Sequence, residues 1–104
     1  MINDALLEQV ARRFALLADP TRLRILRALV DIGEMNVGAL ADAAKTSRFN
    51  VSQHLSRLAA AGLVARRREG SSAYYRTVDP TLPVLCELVC NSLRDQAAAI
   101  SPAA

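Results

Sequence analysis

Two sets of side chains in this 104-residue chain have the types and spacing to do chemistry. The first lies in Thr46-Ser47-Arg48-Phe49-Asn50-Val51-Ser52-Gln53-His54-Leu55-Ser56-Arg57-Leu58. On a helix, Val51, Leu55 and Leu58 share an aliphatic face. Phe49, Gln53, Ser56 and Arg57 then point roughly the opposite way, flanked by Asn50 and Ser52. Asn, Gln, Ser and Arg are the side chains that hydrogen-bond base edges and phosphates. The second set is Cys86 and Cys90, whose spacing puts two thiols on neighbouring turns of one helix face. Thiolates are soft ligands, suited to soft cations and to arsenic or antimony. The same spacing also describes two small hydrophobes in an apolar interface.

Positioning the first set requires helices. Leu6, Leu7, Val10, Phe14 and Leu17 repeat at helical spacing, so a first helix is expected over residues 3–17. Asp19 caps and Pro20 opens a second helix, which ends near Gly33. Glu34 to Gly38 reads as a loop or short edge strand, and a third helix follows to about Lys45. The polar-faced helix spans about 48–61 and is closed by Gly62. Residues 63–68 and 73–78 alternate weakly about Glu69-Gly70-Ser71-Ser72, a hairpin signal. Of Tyr74 and Tyr75, one should therefore face the core. Asp79-Pro80 opens a last helix reaching about Ala98, and Ser101–Ala104 is expected to fray. The expected fold is mostly α with a small β-hairpin. It is a winged helix-turn-helix of about five helices plus a two-stranded wing, formed by residues 1–104 as one domain.

Charge follows the same layout. Residues 22–76 carry ten Lys/Arg against four Asp/Glu, whereas the remainder carries three Arg against six acids. A basic middle with acidic ends is the footprint expected of a phosphate-binding surface, although arginines are also common on solvated helix faces. The candidate DNA contacts are Ser47, Arg48, Asn50, Ser52, Gln53, His54, Ser56 and Arg57 on the helix. On the hairpin they are Arg66, Arg67, Arg68, Ser71 and Arg76. His54, at the edge between the two faces, suits packing or a phosphate contact, since a lone histidine makes no metal site. Met35 reads as a gap-filler.

The first residues lack a basic start and apolar run, and no apolar stretch is long enough to span a bilayer. A cytoplasmic protein with reduced cysteines and no membrane partner is expected. No Gly-rich phosphate loop and no paired carboxylates are present, and His54 lacks a positioned nucleophile. No enzyme is therefore expected.

Ala18-Asp19-Pro20-Thr21-Arg22-Leu23-Arg24-Ile25-Leu26 resembles the second-helix signature of the ArsR/SmtB family of bacterial transcriptional repressors. Val51-Ser52-Gln53-His54-Leu55-Ser56-Arg57-Leu58 and Ala61-Gly62-Leu63-Val64 resemble its recognition helix and first wing strand. Arg68-Glu69-Gly70 and Tyr74-Tyr75-Arg76 resemble its wing. The likeness covers about residues 10–80 in order. It implies a homodimer on double-stranded, palindromic operator DNA, released by an inducer, with the interface built from the first and last helices.

The residues support that interface separately. Leu82, Leu85, Cys86, Val89 and Leu93 form one stripe of the last helix, and Val84 and Leu88 extend the apolar area. One face is thus available for the chain's own core and another for a partner. A monomer that covers both faces itself is the alternative.

In the family, inducer sites are often assembled from cysteines on these helices. The frequent cysteine box of the third helix is absent here, where the chain reads Glu34-Met35-Asn36-Val37-Gly38-Ala39-Leu40. The His-and-carboxylate zinc site of the last helix also has no counterpart. Cys86 and Cys90 remain as candidate receivers of trivalent arsenic or antimony, with no other cofactor required. Trivalent arsenic commonly takes three thiolates, so the third would come from the partner or from a substituent already on the arsenical. Redox or persulfide sensing by the same thiols, and a constitutive DNA-binding or protein-contact module, stay open beside it.

Overall fold

The computed structural model describes residues 2–100, with the Ile100 side chain outside the description. Helix α1 spans Asp4–Leu17, capped by Asn3, whose side chain accepts from the Leu6 amide. Asp19 caps α2 (Pro20–Ile32) in the same way through the Arg22 amide at 2.9 Å, with Pro20 in the first turn, where no amide is needed. Gly33 closes α2 at φ 105°, a conformation that a β-carbon would strain. Strand β1 is only Met35–Asn36, and Asn36 doubles as the cap of α3 (Val37–Ala44). Helix α4 spans Arg48–Ala60 and is capped by Ser47. Strands β2 (Val64–Glu69) and β3 (Ser72–Thr77) lead to α5 (Thr81–Ile100). The expected fraying of Ser101–Ala104 lies outside the described residues.

The turn between α3 and α4 is closed by Lys45 in the left-handed region, at φ 56°. The amides of Lys45 and Thr46 return to Asp42 and Ala41, so two end carbonyls of α3 are satisfied. That tight turn sets α4 across α3.

Three apolar edges meet in one core. Ile25, Leu26 and Leu29 come from α2, Leu40, Ala41 and Ala44 from α3, and Val51, Leu55 and Leu58 from α4. Leu63 and Val64 close the side toward the sheet, and Leu82 is the one buried contribution among the described side chains of α5. Each fully buried Leu or Ile contributes roughly 1.5–3 kcal/mol of transfer free energy. The polar face of α4 is turned outward by the same packing.

The sheet has three antiparallel strands in the order β1-β3-β2, so β1 adds an edge to the expected two-stranded wing. Met35 pairs with Tyr75 and Asn36 with Tyr74. The hairpin turn is Gly70-Ser71 alone, because pairing continues to Glu69 opposite Ser72. Gly70 supplies the positive φ of 61° that a two-residue turn requires. Tyr75 packs against the core, whereas Tyr74 lies on the other face of β3.

The outer helices differ. No residue of α1 is buried; Leu16 and Leu17 lean on the core, and Arg13 ties the helix down through Asp79 and the Ala61 carbonyl. Asp79 itself receives the Thr81 hydroxyl and amide, which hold its carboxyl below the usual carboxylate range. Beyond Leu82 and half-buried Leu85, the described side chains of α5 are exposed. The expectation that one stripe of α5 packs on the chain's own core is therefore met only at its first turns. Cys86, Val89 and Leu93 stand in the open with Val84 and Leu88.

Candidate nucleic-acid interface

The candidate surface is built on α4. Burial of Val51, Leu55 and Leu58 fixes its rotation, so Ser52, Gln53, Ser56 and Arg57 are exposed. None of these four side chains has a hydrogen-bond partner among the described residues, which leaves their donors and acceptors to an external ligand. Phe49 stands beside them at 74% exposure. An exposed aromatic ring at the start of such a helix suits apolar contact with a thymine methyl. Its outward direction was legible in the sequence, but no contact was assigned to it there.

Ser47 and Asn50 are less free than their types suggest. Ser47 Oγ accepts from the Asn50 amide at 3.0 Å, and Asn50 Nδ2 donates to Thr46 Oγ1 at 2.9 Å. Both side chains shape the entry to α4. Arg48 is exposed, with its guanidinium lying over the first turn of α3 where Gly38 has no side chain. A β-carbon at position 38 would stand 2.9 Å from Arg48 Nη2. Gly38 is thus a positional residue for Arg48 that local sequence patterns do not mark.

Arg67, expected at a phosphate, is engaged by carboxylates within the protomer. Its Nε and Nη2 donate to the Glu34 carboxylate, at 3.2 and 2.7 Å to Oε1, while Nη1 donates to Glu69 Oε2 at 2.9 Å. The guanidinium also lies 4.9 Å from the Tyr74 ring centroid, its cross-strand neighbour. The two carboxylates hold the Arg67 proton more firmly than usual, and Arg67 holds Glu34 below the ordinary carboxylate range. A forked ion pair over an aromatic face positions a guanidinium and occupies its donors. Arg67 therefore pins β2 to the segment before β1. Arg66 and Arg68, Ser71 at the hairpin tip, and Arg76 are exposed, with no side-chain hydrogen bond among the described residues. They remain the cationic and polar groups available to phosphates, and Arg66 and Arg68 alternate with Arg67 onto the opposite face of β2.

His54 is half-buried and turned toward α2. Its Nδ1 accepts from Arg22 Nε at 2.9 Å, and Arg22 Nη1 donates to the Leu16 carbonyl at 3.1 Å. This contact seats the ring between α4 and α2. Arg22 also lines an open groove with Arg12, Arg13 and Arg57, which carries positive charge past the end of α4.

Cys86 and Cys90 are free, exposed thiols on consecutive turns of α5, away from the polar face of α4 in the chain order. Among the described residues of one protomer, no three His, Cys, Asp or Glu side chains converge as metal ligands. No helix among those residues is long and apolar enough to cross a membrane.

A helix-turn-helix domain family matches residues 17–67, the span from the end of α1 into β2. An HTH-type transcriptional regulator of Methanocaldococcus jannaschii is 38% identical over 82 residues, covering 79% of this chain and 92% of that protein. The crystal structure of AntR, an antimony-specific transcriptional repressor, superposes with a TM-score of 0.83 at 34% identity, over 94% of this chain and 88% of AntR. A homodimeric winged helix-turn-helix DNA-binding domain from Mycobacterium bovis superposes with a TM-score of 0.80 at 35% identity, over 99% of this chain and 97% of that domain.

Proposed function

The chain belongs to the ArsR/SmtB family of winged helix-turn-helix transcriptional regulators, and on that footing we propose that it is a cytoplasmic homodimeric repressor released from its operator by an inducer at Cys86 and Cys90. The observation that carries the DNA half is the outward row Ser52, Gln53 and Ser56, without side-chain hydrogen bonds among the described residues and flanked by cations. Base edges in the major groove present the complementary donors and acceptors.

The dimer half is supported by the apolar faces of α1 and α5. Phe14, Leu88 and Leu93 are each more than half exposed, beside Leu7, Val84 and Val89. An apolar area of this kind on a small protein marks an interaction surface. A homodimer joined through α1 and α5 would set two copies of α4 about 34 Å apart, one turn of DNA. The homodimeric state of the M. bovis domain supports the same arrangement.

The inducer half rests on the two exposed thiols. Trivalent arsenic or antimony is the chemical class favoured, and the antimony-specific AntR lends support to it. Bridging the two sulfurs would strain α5, the helix that carries the dimer face, and so change the spacing of the two recognition helices. A 100-fold release of DNA requires about 2.7 kcal/mol of coupling between the sites. The second reading, a persulfide or redox sensor, uses the same thiols.

The test is a gel-shift titration of parent, Cys86→Ser and Cys90→Ser proteins with arsenite, a methylated trivalent arsenical and a persulfide donor. The expected outcome is release of the parent by a trivalent arsenical and retention of DNA by both variants. Release of all three proteins at one dose removes the thiols from the mechanism. Release by the persulfide donor alone selects the second reading.

A further inference from the structure

We infer that His54 is a positioning residue and not a DNA contact: as a neutral acceptor for Arg22 it holds the recognition helix against α2, and protonating it loosens that hold and weakens DNA binding. The inference rests on the DNA-binding reading above and adds a control element to it.

The geometry determines the protonation state. Arg22 Nε can only donate, so His54 Nδ1, 2.9 Å away, must present a lone pair. That requires the neutral ring with its proton on Nε2. Arg22 is itself held at two other points. Its amide donates to Asp19 at the start of α2, and its Nη1 donates to the Leu16 carbonyl at the end of α1. One guanidinium thereby joins α1, α2 and α4, and His54 is the only member of α4 in the junction. Whatever breaks the contact frees α4 from the first turn of α2 while leaving Val51, Leu55 and Leu58 in the core.

Three charged groups face the ring. Asp19, the cap of α2, favours the protonated form, whereas Arg22 on α2 and Arg57 on α4 oppose it. Burial is the largest influence and holds the imidazole below its ordinary value of 6.5. The sign follows. The unfolded chain takes up the proton first as pH falls below 6.5, so the stability supplied by the neutral ring declines from there and is fully lost below the depressed folded value. Protonation also places a second cation beside the Arg22 guanidinium. His54 is the only histidine in the chain, and Asp19 is held below the ordinary carboxylate range by its Arg22 amide contact. The part of the pH dependence that His54→Asn abolishes is the part that reports on His54.

The direction of the pH effect separates this role from a direct contact. A histidine touching phosphate would gain a charge in acid and bind DNA more tightly. A histidine that positions α4 through Arg22 would lose its acceptor and bind DNA less tightly.

The experiment has two parts. Nitrogen-15 NMR of the imidazole in the free protein reads the tautomer, with Nε2–H expected; an Nδ1–H ring overturns the inference. Affinity is then measured from about pH 7.5 to about pH 5 on the duplex that the parent protein enriches from a random pool. The parent should weaken by about tenfold, the size of one lost hydrogen bond. His54→Phe should show that loss at every pH, with circular dichroism confirming the fold. His54→Asn, whose Oδ1 takes the place of Nδ1, should recover most of the loss and abolish the pH dependence. Arg22→Met, which also gives up the Leu16 contact and a positive charge, should be at least as weak as His54→Phe, and the double variant should be no weaker than Arg22→Met. Unchanged or tighter binding by the parent in acid, or normal binding by His54→Phe, overturns the inference. If the parent enriches no duplex, the proposed function fails and the control element falls with it, while the tautomer is still read.

Discussion

Helices α4 and α5 are both amphipathic segments of this chain, yet they end in opposite situations. The thirteen residues of α4 bury three large side chains in the protomer core and leave polar groups outside. Of the described side chains of α5, only Leu82 is buried, while Val84, Leu88, Val89 and Leu93 lie outside. The first helix is completed by its own subunit. The second presents to water the kind of surface that the first hides, and so it is completed only by something else. Apolar periodicity locates a helix face, and packing decides whether that face is intramolecular.

The largest effect expected from this contrast is in the core. Leu55→Ala should cost about 2–5 kcal/mol in denaturant unfolding, independent of protein concentration, because a fully buried side chain leaves a cavity. An unfolding midpoint close to the parent's would mean that α4 is less firmly seated than its burial indicates. Val89→Glu should act differently. Val89 is half exposed in the protomer, so the subunit should fold, while sedimentation shifts from dimer to monomer. A buried unpaired carboxylate costs several kcal/mol, enough to lower operator affinity by about two orders of magnitude. A parent protein that sediments as a monomer at micromolar concentration would break the comparison outright.

Smaller effects divide the surface of α4 from that of the wing. Gln53→Ala should remove about 1–3 kcal/mol of discrimination between the selected duplex and a scrambled one, leaving weak binding intact. Equal loss on both duplexes would assign Gln53 to the phosphates. Arg66→Ala and Glu34→Gln should then move the salt dependence in opposite directions. Losing Arg66 flattens the slope of log affinity against log salt by about one unit, while freeing Arg67 from Glu34 steepens it by up to about one. If Glu34→Gln leaves the slope unchanged, Arg67 stays committed to Glu69 and Tyr74.

What was legible in the sequence was local. Asp19-Pro20 placed the start of α2, Gly62 the end of α4, and the spacing of Val51, Leu55 and Leu58 the rotation of α4, because each depends on neighbours within a turn or two. Strand β1 is ambiguous in the sequence between loop and edge strand, since two residues cannot display alternation. The residues whose surroundings the sequence does not show are those whose partners are remote. Arg67 meets Glu34 across 33 positions, and His54 meets Arg22 across 32. Nothing in residue type distinguishes an arginine that awaits phosphate from one already occupied by a carboxylate. Leu93 and Val89 were placed on a stripe correctly, but no local pattern told which neighbour would cover it.

Lys45 carries a different kind of consequence. Its left-handed backbone is a conformation in which glycine sits at no cost, whereas a residue with a β-carbon gives up about 1 kcal/mol. Lys45→Gly would make the α3–α4 turn an easier one to form. It would also remove a positive charge three residues ahead of α4, whose free amides already attract anions. Tolerance and usefulness diverge at this position: the residue best suited to the turn is the poorer one for the potential at its exit. Selection for thermal robustness alone would erode the turn's electrostatic contribution without disturbing a single packed side chain.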